Sequence, residues 1–92
     1  MIRSFAFSDT EELFRCVDVK GFRNIEGVAR RKLLQLDAAP ALDDMRVPPG
    51  NRLEALKGDR KGQHSIRVND QWRICFVWKV DGPYAVQIVD YH

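Results

Sequence analysis

Hydrophobic positions along the chain follow two rhythms, a helical one in the first half and an alternating one in the second. Ile25, Val28, Ala29, Leu33 and Leu36 recur at three- and four-residue steps, which predicts a helix from near Asn24 with one apolar face. Arg23, Arg30, Arg31 and Lys32 fall largely off that face, and Pro40 closes the segment. Upstream, "IRSFAF" alternates enough for a short strand. Ser8 then precedes Glu11 by three residues, the spacing of a capping box, where each side chain bonds the other's free backbone N–H. The helix opened there is expected to bury Leu13, Phe14 and Val17.

"VPPGN" is a stiff turn that cannot lie inside a helix. After it, "RLEALKG", "HSIRV", "WRICFVWKV" and "YAVQIVD" read as strands separated by "GDRKG", "NDQ" and "DGP". The pattern predicts an α+β domain over residues 1–92. A short N-terminal strand leads to two helices packed on one face of a twisted antiparallel sheet of about four strands, in two layers. No linker, repeat or low-complexity run divides it.

Register sharpens this picture. Ile66, Val68, Trp72, Ile74, Phe76 and Trp78 must face the core, and strand partners share a face. A three-residue loop, Asn69–Gln71, satisfies both demands by pairing Val68 with Trp72, Arg67 with Arg73 and Ile66 with Ile74. Two arginines then stand opposite each other on the other face. That arrangement costs stability unless an anion or carboxylate intervenes, or unless both splay into water.

The chain's length suits one small core, and its mixture of apolar and charged residues is that of a globule rather than a disordered tail. No stretch is long and apolar enough for a membrane span, and the start lacks the apolar region of a secretory signal. Cys16 and Cys75 have no metal or redox spacing. They read as reduced thiols of a cytoplasmic protein, each filling core space. Net charge is only +2, but it is segregated. "KGFRNIEGVARRK" opposes five basic side chains to Glu26, and residues 52–73 hold six basic against three acidic ones, which points to a polyanionic partner.

The polar side chains on the face away from the helices, and on its rim, are Arg52, Glu54, Lys57, Arg67, Gln71, Arg73, Asp90, Tyr91 and His92. "GDRKG" lacks the glycine spacing of a phosphate-binding loop. His64 and His92 have no paired ligands for a metal, and Ser65 lies within a strand with no nucleophile elbow around it. What remains suits phosphate binding and proton movement. Arginine forks bind phosphate oxygens, a lysine beside arginines is pushed toward use as a base, Tyr91 offers a stacking plane, and His92 titrates near neutrality. Each also has a bland reading as a solvated strand end, an edge aromatic or a frayed terminus.

"FRNIEGVARRKLLQLDAA", "NRLEALKGDRKGQHSIRVNDQWRICFVW" and the closing "VDYH" together resemble toxins of the HigB type, in the RelE-like superfamily of toxin–antitoxin ribonucleases. The resemblance runs through essentially the whole chain. It implies a RelE-like fold and an endoribonuclease that cuts messenger RNA in the A site of the 70S ribosome, with no metal and no cofactor, by attack of a ribose 2′-OH. It further implies a cognate helix-turn-helix antitoxin through which the pair binds operator DNA. Lys57 matches the lysine after the "L" of "LKG", and Arg73 the arginine of "WRI" that is expected to hold the scissile phosphate. Asp90, Tyr91 and His92 match the terminal "DYH", with Tyr91 orienting the nucleotide and His92 as acid or base. Glu54 and Gln71 stand where relatives can carry histidine and asparagine. The general base stays open between Lys57 and Glu54, and the acid between His92 and Tyr91. With Glu54 in the site, a weakened toxin serving mainly as antitoxin partner and co-repressor is the alternative.

Overall fold

A computed structural model describes residues 1–90; Tyr91 and His92 lie outside the described residues. Helix α1 (Ser8–Phe14) and helix α2 (Glu26–Ala38) pack against one face of a sheet built from β1 (Glu54–Ala55), β2 (His64–Arg67), β3 (Trp72–Lys79) and β4 (Gly82–Asp90). The strands are antiparallel neighbours in chain order, an α+β meander as the pattern predicted. No helix among the described residues is long and apolar enough to cross a membrane.

The expected apolar faces meet. Ala29, Leu33 and Leu36 of α2 are fully buried against Ile66, Ile74 and Phe76, with Trp72 and Trp78 packed at the flanks. Each such large side chain contributes roughly 1.5–3 kcal/mol of transfer free energy. The register is also the expected one. Ile66 pairs with Ile74 and Arg67 with Arg73, while the Val68 N–H donates to the Trp72 carbonyl at 2.9 Å to close the three-residue turn.

Helix α1 departs from expectation at both ends. It starts at Ser8 itself, with Phe7 as the flanking residue and no side-chain cap, so the Ser8–Glu11 box does not form. At the other end Cys16 adopts φ 66. The Cys16 N–H then bonds Leu13 O at 3.1 Å and the Val17 N–H bonds Glu12 O at 2.8 Å, a Schellman termination. The turn carries Val17 away from the core and leaves it exposed, together with Cys16. Both had been expected inside, because periodicity extended the helix by one turn too many.

The predicted N-terminal strand contracts to a single parallel bridge, Phe5 to Val86. It is reinforced by Arg3 N–H to Pro83 O and Ala6 N–H to Val86 O, both 2.9 Å, and by Ala85 N–H to Ser4 Oγ at 2.8 Å. This edge pairing coincides with a β-bulge. Between the pairs Cys75–Gln87 and Val77–Tyr84, β4 takes one more residue than β3, and Ala85 sits at φ 52. The extra residue lets Pro83, an odd position, share the buried face with Val86 and Ile88. Gly82 is required where it stands. At φ 130, a Cβ there would lie 2.6 Å from the Met1 carbonyl oxygen.

Two tight turns, Leu42–Arg46 and Pro49–Asn51, carry the chain from α2 to β1, and the Val47–Pro48 peptide is cis. The anticipated strand "RLEALKG" is reduced to Glu54–Ala55 because the chain enters it from a left-handed Arg52 and leaves it for another turn at Gly58–Arg60.

Candidate functional site

Alternation along β2 and β3 decides which side chains lie away from the helices: Ser65 and Arg67 from β2, Arg73 and Cys75 from β3. Arg73, opposite Val89 in β4, is only 7% exposed. A guanidinium is seldom that buried without partners, and the surrounding main chain supplies several. Nε donates to Ser65 Oγ at 2.8 Å. Nη2 donates to the Arg52 carbonyl at 2.7 Å and to the Ser65 carbonyl at 3.3 Å. Glu54 Oε1 lies 3.8 Å from Nη2, with the Glu54 side chain half exposed.

The two facing arginines therefore neither share one anion nor splay into water. Arg67 bends to Asp70 in the turn, and Arg73 bends toward β1 and the residues before it. Cross-strand repulsion is relieved by turning the two cations to different partners.

The Arg52 carbonyl is aimed by the turn before it. Arg52 is left-handed at φ 47, and Asn51 beside it is fully buried. Asn51 Nδ2 donates to Met45 O at 3.1 Å, Gln35 Oε1 at 3.2 Å and Val47 O at 3.4 Å, and its Oδ1 accepts from Lys32 Nζ. This network nails the connection to α2. Lys32 is half-buried, and burial foremost, then the charges of Arg31 and Arg67, holds its ammonium below the usual lysine range.

Cys75, two residues from Arg73, is fully buried; burial pushes its thiol upward despite Arg60 and Arg73 nearby, so it is a packing residue and no nucleophile. Lys57 is exposed between β1 and the following turn, and the Arg52 side chain is exposed as well. Gln71 lies on the β2–β3 turn, where its Nε2 donates to Asp90 Oδ2 at 3.1 Å, tying that turn to the end of β4. Asp90 pairs with Trp72 and so shares the helix side of the sheet rather than the Arg73 side. His64 is likewise on the helix side, stacked on Phe76 with centroids 6.4 Å apart. Tyr91 and His92, both candidates from the sequence, lie outside the described residues.

Folding also edits the charge map. Arg23 is paired with Asp18 at 2.7 Å and Arg30 with Glu26 at 3.2 Å, so the basic run that enters α2 is less positive than it reads. The side chains of Arg52, Lys57 and Lys61, which flank β1 in the chain, stay exposed.

Two residues at the centre of this arrangement carry no obvious label in the sequence. Ser65 reads as an unremarkable strand serine, and Asn51 as part of a turn. The register itself holds the clue to Ser65, since pairing it with Cys75 makes it the diagonal neighbour of Arg73. Nothing in the sequence pattern marks Asn51.

The model of the family of HigB-like toxins, described as RelE-like toxins of type II toxin–antitoxin systems, matches residues 5–92. The chain is 52% identical over 69 residues to Toxin HigB-1 of Vibrio cholerae, spanning 75% of this chain and 72% of that protein. It is 38% identical over 58 residues to an uncharacterized protein of Haemophilus influenzae, spanning 63% of this chain and 55% of that protein.

Proposed function

Since the chain belongs to the HigB-like family of RelE-like toxins of type II toxin–antitoxin systems, we propose that it is a ribosome-dependent endoribonuclease that cleaves messenger RNA in the A site. The observation that carries this reading is Arg73, a buried guanidinium fixed at two nitrogens by Ser65 and the Arg52 carbonyl. A cation immobilised before the substrate arrives stabilises charge that develops at phosphorus without reorganisation at the moment of reaction.

In this mechanism a base removes the 2′-OH proton and the freed oxygen attacks the adjacent phosphorus. Arg73 holds the added negative charge of the phosphorane. The bond to the 5′-oxygen then breaks, and an acid delivers a proton to it, leaving a 2′,3′-cyclic phosphate and a 5′-OH. Glu54, half exposed and 3.8 Å from Arg73, is proposed as the base, with Lys57 as the other candidate. Tyr91 and His92 are proposed to orient the nucleotide and supply the acid. Gln71, Asp90, Arg67 and Arg52 are proposed to contact the substrate around them.

Membership of a toxin–antitoxin family entails an antitoxin partner; the proposal adds that this partner is a helix-turn-helix protein. The same Glu54–Arg73 approach of 3.8 Å favours a second reading, in which the carboxylate competes with phosphate for the guanidinium and the chain acts mainly as antitoxin partner and co-repressor.

Primer extension on a message under translation, with EDTA present, separates the two. Codon-linked cuts that vanish in Arg73→Ala are expected, with a loss of roughly 10²–10³-fold for removal of one charge-stabilising group. Absence of cuts by the unaltered protein, alongside antitoxin-dependent retardation of operator DNA, refutes the nuclease and leaves the second reading.

A further inference from the structure

Arg73 can serve a reaction only in one orientation, and the described contacts show what sets it. A long side chain on a strand has several rotamers, and burial alone does not choose among them. Among the described contacts, neutral acceptors make that choice. Ser65 Oγ takes Nε at 2.8 Å, the Arg52 carbonyl takes Nη2 at 2.7 Å, and the Ser65 carbonyl lies 3.3 Å from the same Nη2. Ser65 is fully buried, so water cannot replace its hydroxyl at Nε.

The chemistry of the acceptors matters as much as their geometry. A carboxylate at Nε would fix the plane equally well but would add negative charge directly against the guanidinium. A hydroxyl and a carbonyl orient it through dipoles and add no net charge of their own. Glu54 stands farther off and faces solvent.

We infer that Ser65 is the positioning residue of the reaction: its hydroxyl, acting with the Arg52 carbonyl, fixes the plane in which Arg73 meets the scissile phosphate. Ser65 touches neither substrate nor reacting atoms and works through Arg73 alone. The inference rests on the nuclease reading given above.

The test compares Ser65→Ala, Ser65→Cys and Ser65→Thr with the unaltered chain in single-turnover cleavage on translating ribosomes. Cysteine fills the space but is a weak acceptor, whereas threonine keeps the hydroxyl. The alanine and cysteine variants are expected to lose cleavage rate by roughly 10–100-fold, the scale of a misplaced group. Apparent affinity for the ribosome should change little. The thermal midpoint should fall in the alanine and cysteine variants, because the buried Nε loses its acceptor, so cleavage is compared well below it, and threonine should recover most of the rate. In the 15N spectrum of the free protein, the Arg73 Nε–Hε resonance should move in the alanine and cysteine variants and stay near its original position in threonine, a readout independent of activity. Cleavage by Ser65→Ala at the unaltered rate overturns the role of Ser65, as does a rate loss fully accounted for by the unfolded fraction. Absence of cleavage by the unaltered chain instead refutes the nuclease reading itself, so the two failures are distinguishable.

Discussion

Replacing Asn51 with alanine tests how the Arg73 site is anchored. The side chain is fully buried and supplies an amide to the Met45 and Val47 carbonyls and to Gln35, and an oxygen to Lys32. Gln35 and Lys32 are only half-buried and can turn to water, so their losses are partial. The Met45 carbonyl loses its side-chain donor with no comparable recourse. One buried group left unsatisfied costs about 1–3 kcal/mol, and the remaining bonds add about 1 kcal/mol in total after exchange with water. We therefore expect a loss of about 3 kcal/mol, a large share of the stability of a domain this size. For such a chain that corresponds to a fall in melting temperature of about 12–24 °C. Urea unfolding at neutral pH is the assay, and the denaturant slope should stay constant so that stability alone is read. Because Asn51 and Lys32 share a bond, the double variant Asn51→Ala with Lys32→Met should lose less than the sum of the two, by about 0.5–1 kcal/mol. A single-variant loss below about 0.5 kcal/mol would refute the reasoning, since it would mean the buried network contributes no more than a surface contact.

Three further outcomes are expected. Cys16→Gly should raise stability by about 1 kcal/mol, because glycine takes the left-handed φ of 66 without the Cβ conflict that cysteine carries; in the unaltered native chain an aromatic disulfide reagent should titrate one thiol, Cys16, and reach Cys75 only on unfolding. Tyr84→Phe should flatten both edges of the stability–pH curve. The Tyr84 hydroxyl holds Asp81 below the usual carboxylate range, and Asp81 holds Tyr84 above the usual phenol range. The unaltered pair therefore adds stability that is present above the ordinary aspartate value of about 3.9 and lost as pH falls through the folded value. It is likewise present below about 10 and lost as pH rises through the folded tyrosine value, a profile that urea midpoints across pH will trace. Deletion of Tyr91 and His92 should abolish growth inhibition on expression while leaving the far-ultraviolet circular dichroism intact; full toxicity of the truncated chain would remove those residues from the site.

The sheet register and the face of α2 were legible because two-residue and 3.6-residue periods force a side for every apolar position, and a slip would turn Ile66 or Ile74 to solvent. The same periodicity misled at α1, where Val17 kept the helical spacing past a left-handed residue that no glycine announced. It also merged the bulge at Ala85 into a regular strand, and it ran "RLEALKG" through Arg52. At the candidate site the period placed Arg67 and Arg73 as neighbours but could not say which way either would bend. Those directions depend on Asp70, Ser65 and a main-chain carbonyl delivered by a turn. Carbonyls have no letter in a sequence, and their aim depends on buried residues such as Asn51, whose partners are scattered from Lys32 to Val47.

The pairing of the opening segment with β4 has a consequence for biosynthesis. Phe5 meets Val86, Arg3 reaches Asp81, and Thr10 receives the Ile88 N–H, each across more than three-quarters of the chain. A ribosome making this protein emits the first residues of the fold long before their partners exist. Until β4 emerges, the buried hydroxyl of Thr10 has no amide to accept, and β3 offers an unpaired edge. Contacts of such long span are late and slow to form. The nascent chain is thus held incomplete until β4 has emerged, and the strand that ends in Asp90, at the margin of the candidate site, is the one that closes it.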